Sequence, residues 1–412
     1  MRGRGLPRGL EETIVNQFFD TEHFPERRHS NSVKWDTMAA KYGRDDLLPL
    51  WVADMDFPSP PCIQEALRKV VDFGVFAYFA PPASYQDAFL AWEQTHHGVS
   101  PKREWLRFTP GVVTGLYWAI SALTNPGDSV AILTPCYYPF MDAVTDTGRH
   151  LVCSDLVHTD RGYTIDLADF EEKVRSEQVK MLLLCSPHNP IGHVWTEQEL
   201  LGILDICERY DVFVVSDEIH QDIVFNGCKH LSCLRFAKYL DRTITLTSAS
   251  KTFNIAGLQN SFAVIPNDTV REKFDAYVKT VRIKKGVSMG YVAAEAGYAG
   301  GAAWLEEVLE YLKGNYDLLK KTLTDALPGI QIDPLESTYM IWVDLSAYLK
   351  PEQVEPVVLN EARLAVDFGS WFWPKDRIPA GDAHIRINIA TSRDNVALAA
   401  NRLIDAIKAV KN

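Results

Sequence analysis

The stretch SASKTFNIAGLQNS, residues 248–261, decides the fold because it places a lysine directly after a predicted buried strand. The residues before it, TITLT, are apolar or β-branched, and Lys251 follows them closely. A lysine at that point is costly to bury unless its charge or its amine is used. The amine can form a Schiff base with an aldehyde cofactor, and the hydroxyls of Ser248 and Ser250 can bind a phosphate. The alternative is a surface lysine at a strand end.

The residues around this stretch alternate between short β-rich runs and amphipathic helical patterns such as 196–210. Because the runs are almost continuously apolar, they are typical of strands covered on both faces. The alternation predicts a mostly parallel α/β sheet with a ligand site at the carboxyl ends of its strands. The predicted strands of this sheet are 129–135, 150–156, 181–187, 212–218, 243–250 and 260–266.

The C-terminal part of the chain has a different pattern. A long helical stretch over 304–327 precedes strand candidates at 337–345 and 386–391, and a final helix follows. This order predicts a smaller α+β domain. The predicted divisions are an N-terminal arm with part of the small domain over 1–50, a large domain over 51–295 and the small domain over 296–412.

Two polar residues at the ends of predicted strands are candidates for contacts with a cofactor ring. Asp217 ends the run VFVVSD, and a buried carboxylate there needs a partner such as a protonated pyridine nitrogen. The alternative for Asp217 is a helix N-cap or a structural ion pair. Asn189 lies in a proline-rich loop, where its amide can donate to a phenolic ring oxygen or can simply form a turn.

Three further motifs suit a phosphorylated aromatic ligand and a carboxylate. The segment TPGVVTGLYWAISAL (109–123) predicts a glycine turn that opens a helix, and free backbone N–H groups at a helix N-terminus bind phosphate. Tyr137 follows a strand, so it can stack on a flat ring or pack in the core. Arg386 lies inside a β pattern and requires a carboxylate from the protein or from a substrate. His188 and His193 lack the partners that would complete a metal site, so we predict none.

The composition argues against several classes of protein. The formal net charge of -12 predicts no binding to nucleic acid, because a phosphate backbone would be repelled. Seven scattered cysteines without a C-x-x-C pair predict free thiols in a reducing cytoplasm. No run approaches the roughly 18 apolar residues that span a membrane. The basic N-terminus MRGRGLPRGLEE (1–12) lacks the apolar core of a secretory signal, so we predict a loose arm.

Taken together, these segments resemble the fold-type I pyridoxal-phosphate (PLP) enzymes of the class I/II aminotransferase superfamily, and most of all its MalY/PatB branch of cystathionine β-lyases, also called C–S lyases. The resemblance runs from about residue 31 to the C-terminus. It implies the aspartate-aminotransferase fold, with a mostly parallel seven-stranded sheet in the large domain. The phrases that carry it are LPLWVADMDFPSPPCIQEAL (48–67), SPHNPIGHVWT (186–196), SDEIHQDIVF (216–225) and SKTFNIAGLQNS (250–261).

The resemblance also implies a role for each matching residue. Lys251 would form the Schiff base, Asp217 would pair with the pyridine nitrogen, and Asn189 would donate to the 3-oxygen of the cofactor. The other implied cofactor contacts are Tyr137 stacked on the ring, His220 beside the 3-oxygen, the backbone of Val112 and Val113, and the hydroxyls of Ser248 and Ser250 at the phosphate. The implied substrate contacts are Arg386 on the α-carboxylate, Asn189 and Ala53 beside it, and Tyr78 from the partner subunit of a homodimer.

Two positions depart from the aminotransferase pattern and agree with the lyase branch. His220 stands where aspartate aminotransferases have a tyrosine, and Gln259 stands where they have a phosphate-binding arginine. The segment DFGSWFWPKDRIP (367–379) is more aromatic than the pattern leads one to expect, which points to a different side-chain pocket.

The resemblance leaves three functions open. The first is a β-lyase that cleaves cysteine S-conjugates such as cystathionine to a thiol, pyruvate and ammonia. The second is an aminotransferase that uses the same residues. The third is a regulatory protein that binds a transcription factor alongside lyase activity. Release of pyruvate without a keto-acid acceptor separates the first two, and co-purification of a regulator would support the third.

Overall fold

The computed structural model describes residues 24–159 and 162–410, so the predicted loose arm at residues 1–12 lies outside the described part. Its α-helices, named α1 to α14 in chain order, are Val33–Asp36, Met38–Tyr42, Pro61–Phe73, Ala83–Trp92, Val112–Leu123, Pro139–Asp146, Leu167–Ser176, Glu197–Arg209, Ala249–Thr252, Asp268–Val281, Ser288–Gly300, Ala302–Ala326, Pro351–Pro356 and Arg393–Val410. Its strands, β1 to β15, are Leu48–Pro49, Leu106–Thr109, Ser129–Thr134, His150–Asp155, Val157–Thr159, Gly162–Thr164, Met181–Cys185, Phe213–Asp217, Thr243–Thr247, Ser261–Val264, Gln331–Ile332, Met340–Asp344, Leu364–Ala365, Asp367–Phe368 and His384–Asn388.

A seven-stranded sheet forms the centre of the larger part, in the order β2-β10-β9-β8-β7-β3-β4. The strands from β9 to β4 pair in parallel, whereas β10 is antiparallel to both of its neighbours. The predicted mostly parallel α/β sheet is confirmed. The sequence did not predict β2, because Arg107 interrupts its short apolar run.

Helices cover both faces of this sheet, as the apolar runs predicted. On one face, α5, α6 and α10 pack their buried side chains against the strands. On the other face, α7 and α8 do the same. The start of α8 is fixed locally by a capping box, in which the Thr196 side chain accepts from the Glu199 backbone and the Glu199 side chain accepts from the Thr196 backbone. The sheet is therefore buried on both sides.

A four-stranded antiparallel sheet, in the order β11-β12-β15-β14, forms the smaller part. The helices α12 and α14 share one apolar core with it. The segment before residue 50 joins this part, because β1 pairs in parallel with β13. Helix α11 runs across the predicted boundary between residues 295 and 296. The helix ends at Gly300, and Gly301 separates it from α12. The division into domains stays a prediction.

The order of the strands places the polar motifs side by side. Strands β3, β7, β8 and β9 are neighbours and run in the same direction, so their carboxyl ends share one edge of the sheet. Tyr137, Asn189, Asp217 and Lys251 follow or end these four strands.

Within the described ranges, no helix has both the length and the apolar composition needed to cross a membrane. All seven cysteine thiols are free.

Candidate active site

A cavity of about 300 Å³ opens at this edge of the sheet. It collects most of the residues that the sequence singled out, although they come from distant parts of the chain. The side chains and backbone that line it are Ala53, Pro110, Gly111, Val112, Val113, Thr114, Tyr137, Cys185, Asn189, Asp217, Ile219, His220, Ser248, Ser250, Lys251, Ala256, Gln259 and Asn260.

The amine of Lys251 is held at one wall of this cavity. Lys251 belongs to the short helix α9, and its Nζ donates a hydrogen bond of 2.6 Å to the carbonyl oxygen of Ala53. The hydroxyl of Tyr339, a fully buried residue, donates to the same carbonyl at 2.9 Å. Burial lowers the pKa of Lys251 to about 8, although Asp54 and Asp217 act in the opposite direction. The amine is therefore much easier to deprotonate than an ordinary lysine.

Asp217 is a buried carboxylate without a protein cation. It ends β8, is 4% exposed, and accepts a hydrogen bond of 3.0 Å from the backbone N–H of Ile219. In the described part of the chain, no lysine, arginine or histidine nitrogen lies within 4.0 Å of its oxygens. Burial raises the pKa of Asp217 to about 7. A protonated ring nitrogen in the cavity would supply the missing positive partner.

Asn189 and Arg386 are in direct contact. The guanidinium Nη1 of Arg386 donates to Oδ1 of Asn189 at 2.7 Å. Because a guanidinium only donates, the amide oxygen must face it, and the amide nitrogen of Asn189 remains as a donor for a ligand. Arg386 itself does not line the cavity but lies behind Asn189. Its Nε donates to Oδ2 of Asp367 at 3.1 Å, and its Nη2 also contacts this oxygen. The protein therefore supplies the carboxylate that the sequence left open.

The N-terminus of α5 and one serine suit a phosphate. Val112 and Val113 begin the helix, and the first helical bond runs from Gly115 N–H to the Gly111 carbonyl, so the N–H groups before it have no acceptor within the helix. The Ser250 hydroxyl makes no hydrogen bond to any described residue. The Ser248 hydroxyl has a structural role instead, because it donates to the Asn260 carbonyl at 2.6 Å and caps α9.

The two positions that depart from the aminotransferase pattern both face the cavity. His220 is 3% exposed, and its Nδ1 has no hydrogen-bond partner among the described residues. Burial lowers the pKa of His220 to about 3, so the imidazole is neutral. Gln259 lines the cavity, as Ser250 does. Tyr137 lines the cavity as the sequence predicted, with its ring 5.8 Å from the Arg386 guanidinium carbon.

Tyr78 is the one predicted site residue that this chain keeps far from its own cavity. Its side chain is fully exposed and lines a separate surface cavity with Phe73, Val75 and Phe79. The exposed side chains of Phe73, Val75 and Phe76 make this surface strongly apolar. A contribution of Tyr78 to an active site therefore requires a second chain.

The aromatic segment 371–373 forms a wall behind Arg386. Phe372 is buried, and its ring centre lies 4.8 Å from the Arg386 guanidinium carbon. Trp371 lies 4.2 Å from the Nζ of Lys41, which also faces the ring of Trp51 at 4.5 Å.

Sequence reasoning missed Asp367 and Tyr339, although each lies in or next to a β pattern where an isolated polar group needs a partner.

Comparison with known proteins identifies the family. Residues 45–403 match the model of the family Aminotransferase class I and II, and the chain belongs to this family. Cystathionine beta-lyase PatB of Bacillus subtilis is 37% identical over 89% of this chain and 94% of its own length. Protein MalY of Escherichia coli is 31% identical over 95% of this chain and 100% of its own. The PLP-bound C–S lyase of Staphylococcus hominis has a TM-score of 0.87 and 30% identity, covering 95% of this chain and 99% of that one. The predicted family, branch and fold are confirmed.

Proposed function

We propose that the chain is a PLP-dependent C–S β-lyase that cleaves cystathionine or a related cysteine S-conjugate to a thiol, pyruvate and ammonia. The observation that carries the proposal is one cavity that joins a lysine amine of lowered pKa to a buried carboxylate lacking a cation. The names of PatB and of the Staphylococcus hominis C–S lyase support the lyase reaction.

The cavity contains a residue of suitable chemistry for each functional group of PLP. Lys251 would bind its aldehyde carbon, and Asp217 would hold its ring nitrogen protonated. Asn189 would donate to the 3-oxygen, and Tyr137 would stack on the ring. The phosphate would meet the N-terminal N–H groups of α5. When bound, PLP withdraws electrons from the Cα–H bond of an amino acid, so that the proton becomes acidic and a thiolate at Cβ can leave.

Lys251 is the group that would move the Cα proton. Its pKa of about 8 makes the neutral amine readily available near neutral pH, as a general base requires. The Ala53 carbonyl, 2.6 Å from Nζ, gives the released amine a fixed acceptor, so that the side chain stays at one wall of the cavity. The amine would take the proton from Cα, and the resulting Lys251 ammonium would give that proton to the departing thiolate, so that the base is restored.

Arg386 lies behind Asn189 in this structure, and in the substrate complex it would hold the α-carboxylate together with Asn189 and Ala53. Asp367 accepts from Nε and Nη2 of its guanidinium, and Asn189 accepts from one N–H of Nη1. Other N–H groups of the same guanidinium remain, and a carboxylate could accept from them in the plane of the group. Asp367 would then fix the orientation of Arg386 rather than compete for the substrate.

The reaction type is tested by the products from L-cystathionine. The purified protein, loaded with PLP and given no keto acid, should release pyruvate and a free thiol in equal amounts. Pyruvate is measured with lactate dehydrogenase and the thiol with a chromogenic disulfide, and Lys251→Ala serves as the control without activity. Conversion of the cofactor to its amine form, with amino transfer to 2-oxoglutarate and no thiol released, would favour the aminotransferase instead.

We also propose that the protein is a cytoplasmic homodimer. The seven free thiols support a reducing compartment. The apolar surface around Tyr78 supports a second copy of the chain as its partner, because a fully exposed tyrosine among exposed phenylalanines and valines is costly in water. In such a dimer, Tyr78 would reach the cavity of the partner.

A further inference from the structure

Asn189 is carried by a short turn between β7 and α8. The backbone N–H of His188 donates to the carbonyl of His193, and the N–H of Gly192 donates to the carbonyl of His188, both at 2.8 Å. These bonds close residues 188–193 into a turn, with His193 at its far end. Whatever holds His193 therefore holds Asn189 at the cavity.

The imidazole of His193 lies between two carboxylates. Its Nδ1 is 2.7 Å from Oε2 of Glu336, and its Nε2 is 3.3 Å from Oε2 of Glu199. A neutral imidazole has one N–H, and ionised carboxylates only accept, so both contacts together require the imidazolium. Burial alone would lower the pKa of His193, but the hydrogen bonds and charges of the two carboxylates raise it to about 9.

The two carboxylates belong to different parts of the molecule. Glu199 lies in the first turn of α8, whereas Glu336 lies between β11 and β12 of the smaller sheet. Glu336 also accepts from the backbone N–H of Val194 at 2.9 Å. Beside it, Ser337 donates from its N–H and from its hydroxyl to the Gly192 carbonyl. The segment 333–339 is therefore fastened to the Asn189 turn.

The same segment reaches the lysine. Tyr339, at its end, donates to the Ala53 carbonyl that also accepts from Lys251. The contacts of His193 consequently connect the Asn189 turn with the wall that holds the Lys251 amine. A change at His193 is expected to reach the cavity by this route rather than by direct contact.

His193 is the one positive group in this contact, among the residues that the structure describes. No lysine or arginine nitrogen lies within 4.0 Å of the Glu199 or Glu336 carboxylates in these ranges. Thr164 donates to the other oxygen of Glu199 at 2.9 Å. The neighbouring His188 is buried, which lowers its pKa to about 4 and keeps it neutral. Burial and the charge of Glu336 raise the pKa of the nearby Cys228 thiol, so it too is uncharged.

We propose that His193 is a positioning residue whose imidazolium fastens the Asn189 turn to the segment 333–339, and that loss of its proton at alkaline pH weakens the hold of the site on PLP. The proposal rests on the proposed function only in placing PLP beside Asn189. The rate of PLP dissociation tests it and does not depend on which reaction the enzyme catalyses.

The experiment measures PLP dissociation by visible absorbance from pH 7 to pH 10. We expect His193→Gln to lose PLP about tenfold faster than wild type at pH 7, which corresponds to the loss of one charged hydrogen bond at the weak end of its usual range. At pH 10 the two rates should converge, because wild type has lost the same proton. Titration of Lys251 affects both proteins alike. A ratio that is the same at both pH values, or equal rates at pH 7, would overturn the proposal.

Two further variants complete the test. His158→Gln is the matched control, because His158 contacts Asp333 of the same segment at 3.0 Å but lies outside the Asn189 turn; it should behave as wild type. Glu336→Gln removes one of the two charges that hold the proton on His193. It should move the alkaline rise in dissociation to lower pH, and a midpoint unchanged from wild type would contradict the proposal even if His193→Gln fails to fold.

Discussion

Burial moves the ionisable side chains of Lys251 and Asp217 toward neutrality from opposite directions. It lowers the pKa of the lysine to about 8 and raises that of the aspartate to about 7. Each charge loses hydration; Lys251 partly compensates Asp217, whereas Asp54 acts more strongly on Lys251 than Asp217 does. A bound ring with a protonated nitrogen and an aldehyde carbon would supply both missing partners at once.

The substitution Asp217→Asn should stabilise the cofactor-free protein while it disables the enzyme. The folded pKa of Asp217 lies above its unfolded value of 3.8, so between about pH 4 and pH 7 the folded state binds more protons and the free energy of unfolding falls as pH rises. The variant lacks this fall, which amounts to roughly 1–4 kcal/mol. Thermal unfolding of both cofactor-free proteins at pH 4.5 and pH 7.5 measures it.

The activity of the same variant should move in the other direction. With PLP bound, the asparagine cannot compensate the charge of the ring nitrogen, and we expect a loss of roughly a hundredfold or more in the rate of pyruvate formation. A stability difference that does not depend on pH, or turnover near that of wild type, would show that Asp217 does not have this role.

At the scale of elements, the first turn of α5 is suited to bind a phosphate through its backbone rather than through a side chain. Its residues Val112, Val113 and Thr114 line the cavity together with Ser250 and Gln259, and the helix dipole adds partial positive charge at this end. With glutamine at position 259 instead of a cation, this helix end would carry much of the attraction for a phosphate. The backbone of α5 is thus expected to contribute directly to PLP affinity.

The substitution Val112→Pro tests this contribution with Val112→Ala as its matched control. Both variants lose the buried valine side chain, but only proline loses the N–H, and the first helical position tolerates proline. The preceding Gly111 is already extended, as a residue before proline must be. We expect the proline variant to bind PLP at least about tenfold more weakly than the alanine variant. Equal dissociation constants would place the phosphate elsewhere.

At the scale of the whole molecule, one chain contains most of the residues of the proposed active site. It also exposes Tyr78, which would contribute to the active site of a second chain. The lining of the cavity does not include Tyr78, whereas the surface that carries Tyr78 also exposes Phe73, Val75 and Phe76. A symmetric dimer would bury that surface and complete both cavities at the same time. Assembly and activity would then depend on the same contacts.

A heterodimer of Lys251→Ala and Tyr78→Ala chains distinguishes a shared site from a self-contained one. If Tyr78 acts on the partner, one site of the heterodimer carries both defects and the other is intact, so about half of the wild-type activity per dimer should return. If Tyr78 acts within its own chain, both sites stay impaired. Co-expression with two affinity tags isolates the heterodimer, and each variant homodimer provides the baseline rate of pyruvate release.

The sequence by itself determined the features that depend on neighbouring residues. The apolar runs predicted six of the seven strands of the large sheet, and the start of α8 after Thr196 follows from a capping box that spans only residues 196–199. Lys251, Asp217 and Asn189 were found because each polar group ends an apolar strand or follows one within a few residues. The resemblance to a family, which rests on several such phrases, added their roles and the fold.

Only the tertiary structure decided which distant groups are partners. Asp367 meets Arg386 because β14 and β15 pair in that register, and Glu336 meets His193 because the segment before β12 crosses the Asn189 turn. It also showed that the Ser248 hydroxyl is used as a helix cap. A charged residue within an apolar run indicates that a counter-charge is needed, but the sequence does not show which residue supplies it. Ion pairs and hydrogen bonds between strands depend on topology and register, which the tertiary structure sets.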